Sequence, residues 1–225
     1  MAQARWMHVS RLFLLLALVA GVAGCGSGDG KPAAAPATTA SATSACQAVK
    51  APAPESRDAS APSKPLDATK TYTLVLETNC GVFAIQLDQK QAPKTAASLV
   101  SLARDGFFDE VAFHRVVPGF VIQAGDPTGT GGGGPGYQTV DPPPKTAAYT
   151  RGVVAMAKTP AEPAGTSGSQ FFVVSGADAG LPPDYAIVGK VTDGLDTVAA
   201  IDALGTGDGP PSQPVVIRKV TVQES

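Results

Sequence analysis

The sequence predicts a mainly β domain that closes into a barrel, with two helices covering its ends. Three observations carry that prediction. From residue 71 onward short β-type runs recur, and the first of them alternates apolar and polar residues. Glycine-rich turns and loops separate the runs. Two segments hold apolar residues at helical spacing instead. Many short strands with two helices suggest a barrel capped at its ends.

Each element has its own signal. Residues 72–77 form the alternating strand, Asn79, Cys80 and Gly81 a turn, and residues 82–87 the return strand. Pro93 opens a helix as a first-turn residue, with Ala96, Ala97, Val100, Leu102 and Ala103 as its apolar positions and Gly106 after its last turn. Strands follow at 111–116, 120–125, 153–157, 170–175 and 186–191. A second helix fits 194–204, where Leu195, Val198, Ile201 and Leu204 keep helical spacing, and 215–222 is the last strand. Residues 70–225 are thus one domain, long enough to bury a sizeable core. The chain shows no internal repeat.

The N-terminal region reads differently. Arg5 and Arg11 precede an apolar run of 13 residues, 12–24, too short to span a bilayer comfortably. The run ends in Val22, Ala23, Gly24 and Cys25, which resembles the lipobox of bacterial lipoproteins. That resemblance implies that residues 1–25 are a lipoprotein signal peptide and that Cys25 is acylated. The chain is then expected to be extracytoplasmic, lipid-anchored to the bacterial cell membrane and touching the membrane through that anchor alone. Residues 26–69 are rich in Ala, Pro, Ser and Thr without periodicity, which predicts a disordered linker. Such a chain spans roughly 35 Å root-mean-square.

Charge and cysteine content narrow the function. The net charge is −2, and residues 1–25 carry two arginines and no acid. The remaining chain therefore has 15 basic and 19 acidic residues and no basic run, so it does not read as a nucleic-acid binder. Cys46 and Cys80 are the cysteines left after Cys25; outside the cytoplasm they are a possible disulfide, tying the linker to the first hairpin and worth about 3–4 kcal/mol. The glycine run 129–134 lacks the Lys-Ser/Thr of a phosphate loop, and Ser169 lacks the flanking pattern of a serine nucleophile. No metal or cofactor is expected.

The most informative stretch is 113–126. It holds Phe113, His114, Arg115, Pro118, Gly119, Phe120, Gln123, Ala124, Gly125 and Asp126. An arginine, a glutamine and apolar rings suit a site that binds and polarises a substrate without attacking it. With Met156-Ala157, the run from Thr166 to Phe172, and Val188 to Val191, this stretch resembles the cyclophilin signature, and the similarity spans about 71–222. The resemblance implies a closed eight-stranded antiparallel barrel capped by two α-helices, and peptidyl-prolyl cis–trans isomerase activity on proline-containing polypeptides, in a monomer. It implies Arg115 and Gln123 as the catalytic pair. It implies Phe120, Val121, Ala157, Lys158, Gln170, Phe172, Leu181 and Tyr185 as substrate-binding, with Phe113 either in the core or supporting the site from behind. His114 is the one histidine outside the signal segment; the reaction transfers no proton and gives it no acid–base role.

The sequence departs from the family at three places. Lys158 stands where asparagine is common, at the start of a longer loop stiffened by Pro160 and Pro163. Gly180 replaces a tryptophan and Tyr185 a histidine, so cyclosporin is expected to bind weakly. Val121 replaces a methionine. The altered 180–185 segment keeps a second reading open, a proline-peptide-binding chaperone module with little turnover. A third, a surface lipoprotein acting through its stalk, has only the anchor in its favour.

Overall fold

The computed structural model describes residues 46–225; the signal segment, Cys25 and linker residues 26–45 lie outside the described residues. Strand β1 (Tyr72–Thr78) buries Tyr72, Leu74 and Leu76 and leaves the residues between them more exposed, as a strand with one face in the core must. Strand β2 (Gly81–Leu87) returns antiparallel and buries Phe83, Ile85 and Leu87. Helix α1 (Pro93–Arg104) has proline in its first turn and no side-chain cap from Ala92. Its N-terminus is instead met by Asp141, whose carboxylate accepts the Thr95 N–H at 2.7 Å and the Thr95 hydroxyl at 2.8 Å. A negative charge there complements the helix dipole.

The remaining elements are β3 (Val111–Ala112), β4 (Arg115–Val117), β5 (Val121–Ala124), β6 (Thr139–Val140), β7 (Val153–Met156), β8 (Thr166–Ser167), β9 (Phe171–Val174), β10 (Ile187–Asp193), α2 (Leu195–Asp202) and β11 (Val216–Glu224). Among the described residues one antiparallel sheet has nine strands in the order β3-β11-β1-β2-β10-β7-β9-β5-β4, and β6 pairs with β8 separately. Its two terminal strands are separated in the chain only by Phe113 and His114, so the sheet has to curl back on itself. The sequence reading expected eight strands closing on one another. Among the described residues no ladder joins β3 to β4, because the expected strand 111–116 changes partner halfway. Phe113 N–H still bonds Val215 O beside β11, while Arg115 to Val117 pair with β5. The pair β6 and β8 escaped the sequence reading, since two-residue strands carry no period.

The pleat divides the sheet into two apolar faces. In β5, β7 and β9 the residues Ile122, Ala124, Val154, Met156, Phe171 and Val173 join the main core with Leu76, Phe83, Leu102, Phe108 and Ile217. Their alternates Val121, Ala155, Phe172 and Val174 pack with Tyr149 into a second, smaller cluster. These strands are apolar on both faces, and that second face carries the site.

Residues 46–69 differ from the expected disordered linker. They form no helix or strand, yet they run along the domain as a strap. Cys46 and Cys80 form a disulfide. Gln47 N–H bonds Asn79 O, Glu55 N–H bonds Pro127 O and Ala59 N–H bonds Pro135 O. The Arg57 guanidinium donates to the carbonyls of Phe107 and Asp109 at 2.7 and 2.8 Å. Composition misses this because each partner lies on a distant part of the chain.

Candidate active site

Cross-strand register assembles the site. Arg115 stands opposite Gln123, Gln123 opposite Phe172, and Phe172 opposite Ala155, one row across β4, β5, β9 and β7. Paired residues project from the same face, so residues spread over 58 positions of sequence meet on the second apolar face.

The polar members form one directed chain. Arg115 donates from Nη1 to Gln123 Oε1 at 3.2 Å, Gln123 Nε2 to Gln170 Oε1 at 3.1 Å, and Gln170 Nε2 to the carbonyls of Gly131 and Gly133, both at 2.9 Å. Each amide is thereby oriented by the next. On its other side Arg115 Nε donates to the carboxylate of Asp208, which sequence reasoning missed. The hydrogen bond from Arg115, and then its charge, hold the exposed Asp208 carboxyl below the usual range. The guanidinium lies 5.8 Å from the centroid of the Phe120 ring, within cation–π range. Its Nη2 makes no hydrogen bond among the described residues.

Arg115 edges a pocket of about 220 Å³ lined by Phe120, Val121, Gln123, Ala157, Lys158, Phe172, Leu181 and Tyr185. Gln170 lies outside this lining, in an adjoining cavity of about 720 Å³ that shares Gln123, Ala157 and Lys158 with it. Phe120 is placed by helix α2. Both carboxylate oxygens of Asp202 accept the Gly119 N–H at 3.1 Å, and Oδ1 also accepts the Ser175 hydroxyl at 2.6 Å. Phe113 lies in the core, 1 % exposed, and does not reach the pocket.

The far wall is an aromatic stack. Tyr185 meets Phe172 edge-on at 5.7 Å and Tyr149 at 6.0 Å. The buried Tyr149 hydroxyl donates to Tyr185 O at 2.7 Å and accepts the Tyr185 N–H at 3.0 Å, pinning that residue at both backbone groups. Nothing local in the sequence marks Tyr149 for this task. Lys158 was expected to bind substrate; its ammonium is used elsewhere. Nζ pairs with Asp184 at 2.6 Å and donates to Glu162 O at 3.0 Å and Thr159 O at 3.2 Å, leaving the side chain 2 % exposed. It straps the long loop to the Tyr185 wall, with Nζ 5.6 Å from the centroid of the Tyr185 ring. Gly180 has φ +61°, a backbone that side chains rarely adopt, so a larger residue there would carry backbone strain although its Cβ would meet open space.

The glycine run 129–134 is organised around Asp126. Its carboxylate accepts the N–H groups of Thr128, Thr130, Gly131 and Gly133 at 2.7 to 3.1 Å, together with the Thr128 hydroxyl. Burial raises the Asp126 pKa, but these hydrogen bonds outweigh it and hold the group below its ordinary value. His114 immediately precedes Arg115 in sequence. Both its ring nitrogens are buried without a hydrogen bond among the described residues, and burial pushes its pKa down, with nearby Asp126 opposing.

Comparison with known proteins covers the same part of the chain. The family model described as cyclophilin type peptidyl-prolyl cis-trans isomerase/CLD matches residues 73–222. The peptidyl-prolyl cis-trans isomerase A of Mycobacterium tuberculosis H37Rv is 40 % identical over 171 residues, spanning 68 % of this chain and 92 % of that protein. The probable isomerase A of Mycobacterium leprae is 39 % identical over 170 residues, 67 % of this chain and 91 % of that protein. A crystal structure of a cyclophilin type isomerase from Cryptosporidium parvum superposes with a TM-score of 0.62 at 30 % identity, covering 68 % of this chain and 98 % of that one.

Proposed function

The chain belongs to the cyclophilin-type peptidyl-prolyl cis–trans isomerase family, and on that premise we propose that Arg115 drives rotation about X–Pro bonds by hydrogen bonding to the prolyl nitrogen of a twisted amide. Rotation breaks amide resonance against a barrier of about 18–20 kcal/mol. As the amide twists, its nitrogen pyramidalises and regains a lone pair. A donor aimed at that lone pair stabilises the twisted state more than either planar state, which lowers the barrier. No bond to carbon breaks, so the reaction asks for no nucleophile and no proton transfer.

The observation that carries this reading is the placement of Arg115. Gln123 and Asp208 hold the guanidinium at two atoms, at the edge of an apolar pocket with Phe120, Phe172, Leu181 and Tyr185 around it. Nη2 remains available as a donor. The pocket takes the prolyl ring, and Gln123 steadies the arginine and contacts the peptide backbone. Arg115→Ala is expected to lower kcat/KM on a proline peptide at least a hundredfold. Arg115→Lys, which keeps the charge but loses the planar fork, is also expected to lose most activity. Exchange NMR on both variants checks this. Turnover by Arg115→Lys near that of the unaltered protein would falsify the assignment. Unaltered protein that binds the peptide yet matches the uncatalysed rate would make the groove a binding module.

The proposed setting is outside the cytoplasm, on exported or surface proteins, with the chain anchored through acylated Cys25. The lipobox-like Val22 to Cys25 supports this, as does the Cys46–Cys80 disulfide, since such bridges persist in oxidising compartments. Detergent-phase partitioning is expected for the unaltered chain and lost in Cys25→Ser; equal partitioning of the two would count against the anchor.

A further inference from the structure

The strap contributes a wall that the family match does not include. The matched region begins at residue 73, whereas Ser56, Arg57 and Asp58 line the cavity of about 720 Å³ beside the proline pocket. The two cavities share Gln123, Ala157 and Lys158, so they adjoin one another. Thr159 and Glu162 of the long loop line the same cavity, and the Asp126-organised glycines line it too.

The strap is held in place on both sides of these residues. Glu55 N–H bonds Pro127 O and Ala59 N–H bonds Pro135 O. The Arg57 guanidinium is consumed as an anchor: Nη1 donates to Phe107 O and Asp109 O, while Nε and Nη2 meet Glu55 at 2.8 and 2.7 Å. Asp58 is exposed and makes no hydrogen bond or ion pair among the described residues. Glu162 is the second carboxylate of the cavity; its Oε2 accepts from Thr159 at 2.5 and 2.9 Å and its Oε1 from Gln138. The two cations of the lining, Arg57 and Lys158, are tied to Glu55 and Asp184. The charge left facing the cavity is negative.

We propose that residues 56–58 are specificity-determining: with Glu162 they form a subsite for residues flanking the proline and favour a basic one. This rests on the reading of the Arg115 pocket as the proline site. Affinity is the readout, so the two ideas fail separately. NMR titration of the oxidised full chain compares a tetrapeptide containing one Ala–Pro bond with the same peptide extended by three residues on either side, the extension carrying either Lys or Glu. The extended peptides are expected to bind more tightly than the tetrapeptide, and the Lys form about threefold more tightly than the Glu form, the scale of an exposed charge contact. Asp58→Lys alters an exposed side chain, leaves every strap anchor in place, and is expected to reverse the Lys and Glu order. Arg57→Ala, which removes the anchor, is expected to reduce the advantage of the extended peptides about fivefold. Equal affinity for short and extended peptides overturns the wall, and an unchanged Lys and Glu order in Asp58→Lys overturns the charge preference. Undiminished turnover in Arg115→Lys with these preferences intact counts against Arg115 and leaves the strap subsite standing.

Discussion

In the proposed reaction Arg115 acts from a fixed position. A free guanidinium samples many rotamers; here Gln123 takes one nitrogen and Asp208 another, so the remaining donor points from a preset frame. The residue type and its glutamine were legible in the sequence because they sit in one short motif. Asp208 was not legible: it lies 93 positions away in a loop of small and polar residues, and only the fold brings it to Arg115. Arginine keeps its proton throughout the ordinary range, and the paired Asp208 stays ionised because Arg115 lowers its pKa. Turnover measured as kcat/KM is therefore expected to be flat between about pH 6.5 and 9, with no bell; a basic or acidic limb inside that window would assign a proton-transferring group the site should not need. His114 acts on stability instead. Burial lowers its folded pKa below the ordinary 6.5, so the fold holds it neutral. The unfolded chain takes up its proton as pH falls below about 6.5. The stabilising contribution is thus present above that value and lost as pH falls toward the folded pKa. Melting temperature is expected to drop more between pH 7.5 and 5.5 in the unaltered protein than in His114→Gln.

At the scale of elements, helices and loops place the rings that surround Arg115. Helix α2 was legible from Leu195, Val198 and Ile201, but its task at the site was not. Asp202, in its last turn, reaches the Gly119 N–H and the Ser175 hydroxyl and so sets the turn that carries Phe120. Asp202→Ala removes these hydrogen bonds to a charged acceptor, each worth about 1.5–3 kcal/mol when well formed. The variant is expected to be less stable in urea and to raise KM for a proline peptide several-fold while kcat changes little, because in the proposed reading Phe120 binds the ring and Arg115 does the chemistry. An unchanged KM would show that Phe120 holds its place without the helix. The two-residue strands β6 and β8 and the Asp126-centred loop were invisible beforehand for one reason. Their hydrogen bonds join short, irregular segments, and no periodicity records such pairings.

At the scale of the whole molecule, the strap and its disulfide bind the pre-domain segment to the curled sheet. The Cys46–Cys80 link closes a separation of 34 residues, a constraint worth about 3–4 kcal/mol in the unfolded chain. Reduction is expected to lower the melting temperature by about 10 °C, and to make residues 46–59 the first to exchange their amide protons; a melting temperature unmoved by reductant would mean that strap and sheet are energetically separate. The sequence by itself determined the mainly β character, both helices, the hairpin of β1 and β2 and the Arg115–Gln123 motif. Those features rest on local periodicity and on residues close in sequence, so they can be read along the chain. Tertiary structure alone decided that β3 and β4 part company, that Lys158 spends its charge on Asp184, that Asp208 and Tyr149 belong to the site, and that a Pro- and Ala-rich segment lies against the groove. Each of these depends on partners tens of residues apart, whose meeting is set by strand register and by backbone groups that every residue carries alike.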